Sequence, residues 1–293
     1  EDKQYEGFRV PYSAEKWKTD TINDRVYYYV TFSDVASKEM CDDITISLWN
    51  SGEQIVNGNG TKAEYTDSIR DYVLRILNTG SYGDANNKML VDLLYYGAAA
   101  QTYYGYGIDD LATSGLTDAQ KGLRTQSFEA GKGPADTSTF VVADGYTLTV
   151  PEDGTSAGFS RLELTNGFYL HATFNGLKEG MTAVATFNDS TYPLRIGTDG
   201  KYFYFTTQEV LPMSMADART EVVIKVYDGE TLVCTITDSV ASYVARVING
   251  TQTETGLVDA EDFANLKALL QRIVMFSDSV KQYVEPWYGN KEG

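Results

Sequence analysis

Cysteine and histidine are almost missing from this chain, which has two of the first, Cys41 and Cys234, and one of the second, His171. Two thiols so far apart build neither a disulfide framework nor a thiolate metal site, so both read as small buried side chains. A lone histidine cannot supply a His-x-x-x-His pair, and no Gly-x-Ser-x-Gly elbow or Walker-type glycine loop is present. Serine-hydrolase and nucleotide chemistry are thereby disfavoured. No Asp-x-Asp-x-Asp-Gly loop occurs; Asp42-Asp43 and Asp109-Asp110 read as solvated turn or capping residues, with a loop calcium built from carbonyls left open. No apolar run is long enough to cross a bilayer. Positive charge is scarce, with 24 Lys and Arg against 41 Asp and Glu and a net charge of −17. That balance disfavours a phosphate-backbone partner and an anionic membrane surface on electrostatic grounds. The chain begins at Glu1 with neither methionine nor a signal segment, which fits a mature or trimmed fragment.

What is abundant is tyrosine, 22 residues against 12 phenylalanines in a chain of 293. Its ring has an apolar face and a polar tip, which suits a surface that grips something partly wet. The length has room for two domains of ordinary size.

The chain also repeats itself. Tyr96-Gly97-Ala98 and Gln101-Thr102-Tyr103 match Phe276-Ser277-Asp278 and Lys281-Gln282-Tyr283, each 180 positions on. Upstream, Thr66-Asp67-Ser68-Ile69 and Tyr72-Val73 match Thr237-Asp238-Ser239-Val240 and Tyr243-Val244, each 171 positions on. Internal repeats of this kind mark a duplicated unit. The expected fold is α+β: two tandem repeats, each an antiparallel β-sandwich followed by a helical pair, in lobes 1–125 and 126–293. In the first helix, Ile69, Tyr72, Val73, Ile76 and Leu77 form one buried stripe, echoed by Val240, Tyr243, Val244, Val247 and Ile248. Asp67 and Asp238 are expected to cap it, and Asn78-Thr79-Gly80 and Asn249-Gly250 to stop it in the left-handed region. In the second helix Leu90, Leu93, Leu94, Gly97 and Gln101 share a face, with three alanines beside them for close approach.

Strands follow from alternation. Val26 to Phe32 and Lys201 to Thr207 place Tyr27, Tyr29, Tyr202 and Tyr204 outward. Ile44, Ile46 and Leu48 point inward with Trp49 outward, and Val222, Ile224 and Val226 inward with Tyr227 outward, each pattern ending before a turn. Thr117 with Gln120 forms a capping box for a short helix ending near Arg124, and the Gly131 to Pro134 stretch reads as linker. Further strands are expected at Tyr5 to Tyr12, Thr139 to Val142, Tyr146 to Val150, Arg161 to Thr165, Phe168 to Phe174, Met181 to Phe187, Tyr192 to Ile196 and Glu230 to Thr237. Few residues precede the tyrosine strand of the first copy, so its sheet looks incomplete.

Chemistry-bearing constellations are absent from this inventory, and aromatic surface remains. Trp17, Trp49, Trp287, Tyr82, Tyr106, Tyr288 and the strand tyrosines lie in strands, turns or termini. Flat rings stack on the C–H faces of sugars while Asn, Asp, Gln and Thr take the hydroxyl hydrogen bonds. The candidate carbohydrate-binding residues are Trp49, Trp287, Tyr288, Tyr27, Tyr29, Tyr202, Tyr204 and Tyr227; the competing reading packs the strand tyrosines under their own helices. A glycosidase needs only two carboxylates and is the less favoured alternative.

The Leu-Leu-Tyr-Tyr-Gly-Ala-Ala-Ala-Gln-Thr-Tyr-Tyr-Gly-Tyr run, with Thr-Asp-Ser-Ile-Arg-Asp-Tyr before it and Asp109-Asp110-Leu111-Ala112 after it, resembles a module of large secreted proteins of gut anaerobes. The whole chain is similar to a starch-binding region of the starch adherence system proteins that assemble in amylosomes. That resemblance implies a secreted, cell-surface, non-catalytic domain holding α-1,4-glucan, starch or malto-oligosaccharide, in a groove formed by both lobes. It implies no cofactor, a monomer, and other surface-complex proteins engaged through regions outside this chain. Here the second copy departs, with Ser277-Asp278-Ser279 for Gly-Ala-Ala. The rival expectation is a structural or protein-partner-binding domain of a bacterial surface protein.

Overall fold

The structure is a computed structural model that describes residues 18–22, 25–29, 35–128, 139–148, 161–164, 168–174, 176–194, 196–198, 203–206, 211, 213–249 and 260–288. The expected strand at Tyr5 to Tyr12 and residues Trp17 and Tyr202 lie outside them. The chain forms two compact units, Glu1–Asp34 and Val35–Gly293. In the smaller, β1 (Lys18–Ile22) and β2 (Arg25–Tyr29) make an antiparallel hairpin. The expected break between lobes at 125/126 falls inside the larger unit.

The larger unit is mixed α+β. After a 3-10 turn at Ser37–Glu39 come β3 (Ile44–Ser47), β4 (Trp49–Asn50), β5 (Glu53–Gln54) and β6 (Glu64–Asp67), then α1 (Ile69–Thr79), α2 (Asp84–Tyr104) and α3 (Asp118–Lys121). The capping box expected for α3 is present: Thr117 Oγ1 accepts from the Gln120 amide at 3.2 Å, and Gln120 Oε1 accepts from the Thr117 amide at 2.9 Å. Then follow β7 (Thr139–Val142), β8 (Arg161–Leu164), β9 (Phe168–Phe174), β10 (Thr182–Phe187), β11 (Ser190–Leu194), β12 (Ile196–Thr198), β13 (Phe203–Thr206), β14 (Val222–Asp228), β15 (Thr231–Asp238), α4 (Val240–Ile248) and α5 (Ala260–Tyr288). A five-stranded antiparallel sheet runs β11-β10-β14-β15-β7 and a four-stranded one β12-β13-β9-β8, whereas among the described residues β3 pairs only with β6 and β4 only with β5. Residues 146–148 are not strand, contrary to expectation: the Tyr146 amide closes a turn on Ala143 O at 3.2 Å, with Gly145 at φ 85°.

The helix caps correct the expectation in one respect. The N-cap of α1 is Ser68, whose Oγ accepts from the Asp71 amide at 3.0 Å, and that of α4 is Ser239, accepting from the Ser242 amide at 3.1 Å. Asp67 and Asp238 instead accept from the cap residue's own amide and are gripped by an arginine one helical face away, Arg75 and Arg246. An aspartate one residue too early to reach the first-turn amides still serves the positive end of the helix. Gly80 stops α1 in the left-handed region at φ 62°, but Asn249 caps α4 at φ −80°.

Helix α2 is buried on more than the one face its stripe suggested, because it packs along α5 on one side and against the 3-10 turn and the 106–116 loop on another. A Cβ added at Gly97 would stand 2.5 Å from Met40 Sδ and 3.2 Å from Ser37 O, so this glycine sets the approach of the turn. Buried Gln101 spans the loop, accepting from the Ala112 amide at 2.7 Å and donating to Asp110 O at 3.3 Å.

Burial separates the two sheet segments that the sequence pattern equated. Ile224 and Val226 are fully buried, but Ile46 and Leu48, expected inward, are 50% and 45% exposed. Tyr72 of the α1 stripe is 55% exposed, while Tyr243 in the matching position is 2% exposed. Alternation fixes which side chains share a face; a covering layer decides burial, and among the described residues β3 has one strand neighbour where β14 has two. Ile224→Ala should therefore cost about 3 kcal/mol, and Ile46→Ala well under about 1 kcal/mol, in chemical denaturation.

Candidate functional site

Three arms radiate from the stretch 44–67. Leu48 donates to Ala63 O (3.0 Å), Ala63 to Ile55 O (2.7 Å) and Ile55 to Leu48 O (2.8 Å), closing a ring of backbone hydrogen bonds where the β3–β6, β4–β5 and Val56–Lys62 pairings meet. Alternation through this junction puts Thr45, Ser47, Trp49, Gln54, Glu64 and Thr66 on one face, and Ile46, Leu48, Ile55 and Tyr65 on the other. The hydrogen bonds agree. The Trp49 indole N–H donates to Ser47 Oγ at 2.8 Å, Gln54 Nε2 donates to Glu64 Oε2 at 3.3 Å, and the Thr45 and Thr66 hydroxyls meet at 2.8 Å. Trp49 is 45% exposed and lies opposite Gln54. The result is an indole set among hydroxyl, amide and carboxylate groups on a solvent-facing sheet, chemistry that suits a ring with an apolar face and polar edges.

Neither aromatic ends its strand as expected, since Trp49 opens β4 and Tyr227 precedes Asp228, the last residue of β14; Tyr227 lies opposite Leu232, half-buried, with Thr182 of β10 beside it. The two aromatics stand on separate sheets. Tyr27 and Tyr29 fall in β2, opposite Asp20 and Lys18, and Tyr204 in β13 opposite Gly197 and Thr173. Trp287 and Tyr288 form the last residues of α5, which continues through Pro286. For these five the structure describes the backbone and not the side chains.

Two further aromatic groups reach the surface, and of their members only Tyr106 is among the aromatics expected there. Tyr104 packs edge-on against Tyr103 at 4.9 Å, and the Lys38 ammonium stands 5.6 Å from its ring centroid and 5.1 Å from that of Tyr106, whose hydroxyl donates to Asp42. The Tyr-Tyr-Gly-Tyr motif was the available signal, since Gly105 in the left-handed region ends α2 and turns Tyr106 back. On the other face of the β3–β6 pair, Tyr65 donates to Asp67 Oδ2 at 2.7 Å, and Arg75 of α1 lies 5.6 Å from the Tyr72 ring centroid. No group of three or more His, Cys, Asp or Glu side chains placed to hold a metal exists among the described residues. Asp110 accepts from Arg70, which holds its carboxyl below the usual range. No helix among the described residues is long and apolar enough to cross a membrane.

Comparison with known proteins returned no matching family model, no matching curated sequence and no matching solved structure.

Hydrogen bonds from Arg75 first, then from the Tyr65 hydroxyl, hold the Asp67 carboxyl far below the usual carboxylate range. A folded-state pKa lowered in this way contributes stability that is present above the ordinary value, about 4, and is lost as pH falls through the lowered one. Melting curves from pH 6 down to pH 2 should therefore drop less steeply in Asp67→Asn than in the wild type.

Proposed function

We propose that this chain is a non-catalytic carbohydrate-binding module that holds α-1,4-glucan, and that it is a tandem duplication of one sheet-plus-helices unit. The observation that carries the binding proposal is the exposed Trp49 indole with Ser47, Gln54, Glu64, Thr45 and Thr66 on the same sheet face. An aromatic platform ringed by short hydrogen-bonding side chains recognises a pyranose through C–H stacking and hydroxyl contacts. The duplication is supported by paired features 171 positions apart: Ser68 and Ser239 as caps, Asp67 and Asp238 as carboxylates, Arg75 and Arg246 as their partners. It is supported again by the Arg70 and Ala241 amides, also 171 apart, which donate to Met40 O and Ala218 O. In the proposed arrangement Trp49 and Tyr227 are the main sugar platforms. Trp287, Tyr288, Tyr202 and Tyr204 extend the grip, Tyr27 and Tyr29 offer a sugar contact of their own in the smaller unit, each lobe is a sandwich followed by a helical pair, and the module works at the surface of a secreted assembly.

Calorimetry with malto-oligosaccharides and amylose tests this. Trp49→Ala should weaken binding by about 2 kcal/mol at an unchanged melting temperature, since a few aromatic anchors carry an interface. Long glucans should bind more tightly than maltotriose by up to about a hundredfold, because two linked weak sites gain avidity when one chain reaches both. Equal affinity for short and long chains defeats the two-site part of the proposal, and undiminished binding by Trp49→Ala defeats the platform. A second reading, a protein-partner-binding domain, is favoured by the exposed Ile46, Leu48, Ile55 and Tyr65.

A further inference from the structure

The edges of the two matched sheet segments differ. Strand β14 is flanked by β10 and β15, whereas among the described residues β3 has β6 alone. Because the Leu48 amide donates to Ala63 O across the β3–β6 arm, alternation turns the Ile44 and Ile46 amides inward and those of Thr45 and Ser47 outward. That outer edge has no strand partner among the described residues. Next to it lies the face of Ile46, Leu48, Ile55 and Tyr65, exposed, while the matching Ile224, Val226 and Ile236 are fully buried. At the corresponding edge of β14, strand β10 lays Ala185 opposite Ile224 and Ala183 opposite Val226. A row of outward amides beside an apolar face is a template for an added strand, and a two-stranded arm gains most from one.

The charge around the edge narrows the occupant. From Asp42 to Glu64 there are four acidic side chains, Asp42, Asp43, Glu53 and Glu64, against one base, Lys62, while Asp67 is already paired with Arg75. We propose that the β3 edge is a strand-addition site for a second polypeptide, which docks antiparallel to β3 as an extended segment flanked by basic residues. Its inward positions, opposite Ile46 and Leu48, are small and apolar, in the manner of Thr-Ala-Val-Ala-Thr-Phe in β10. The site rests on the duplication proposed above and is independent of glucan binding.

The probe is a synthetic peptide of residues 181–187 with a lysine added at each end, titrated into the full chain. Calorimetry reads affinity and hydrogen exchange reads the amides. The peptide should bind saturably and slow exchange at Thr45 and Ser47 by about tenfold or more, while a scrambled peptide of the same composition does neither. Ile46→Lys, at an exposed position, should weaken binding by about tenfold and leave the melting temperature unchanged. Absence of saturable binding, equal binding of the scrambled peptide, protection confined to other amides, or undiminished binding by a folded Ile46→Lys overturns the proposal. Sedimentation on the chain alone tests self-pairing: a concentration-dependent dimer with Thr45 and Ser47 already protected assigns the edge to a second copy and overturns the assignment to another polypeptide. A glucan pull-down on the same preparation separates the two proposals, since peptide binding without glucan binding strikes only the carbohydrate reading, and the reverse only this one.

Discussion

The packing of α2 along α5 is the contact on which the rest of the larger unit depends. These helices stand 180 positions apart in the matched pattern, and here they meet directly, Tyr96 stacked on Phe276 with centroids 5.9 Å apart and planes 17° apart. The joint is closed by the segment that follows α3. Thr125 donates its amide and its hydroxyl to Asp92 of α2, at 2.8 and 2.7 Å, and its carbonyl accepts from Arg272 of α5 at 3.2 Å. Asp92 is almost wholly buried and also accepts from Lys88, so its charge is met by three donors and its desolvation is offset. Tyr95 has guanidinium groups near its ring from Arg124 and Arg272, at 4.9 and 4.8 Å from the centroid. Burial, and then the neighbouring Arg124 charge, lower the pKa of Arg272. A residue read as the end of one lobe is thus the bolt between both helices.

The same chemistry at matched positions acquires different roles because its surroundings differ. The Asp238–Arg246 pair is buried, and Asp67–Arg75 is more open; Tyr243 is core, and Tyr72 is surface. A buried bidentate carboxylate and guanidinium hold the entry of α4 in one geometry, and losing either partner strands a charge away from water. At the surface the equivalent pair holds a tyrosine hydroxyl and leaves aromatic rings toward solvent. In the second half of the chain the matched sheet segment is core, and in the first half it is a two-faced β3–β6 arm, one face of polar groups around an indole, the other apolar. Both proposals above grow from that arm, one from each face.

What the sequence determined by itself was local. The 3.6-residue stripe located α1 and α4, the Thr117/Gln120 spacing located the α3 capping box, and two-residue alternation placed Trp49 with Thr45 and Ser47 and apart from Ile46 and Leu48, since periodicity follows from backbone geometry alone. Which of those faces is covered was decided only by tertiary structure. Ile46 and Ile224 carry the same side chain in the same alternation, yet one is half-exposed and the other buried, because burial depends on neighbouring strands remote in the chain. Helix α2 shows the same division from the other direction: its Tyr-Gly-Ala-Ala-Ala run announced close approach, but Met40 and Ser37 over Gly97, and Phe276 over Tyr96, come from segments whose distance along the chain conceals their contact.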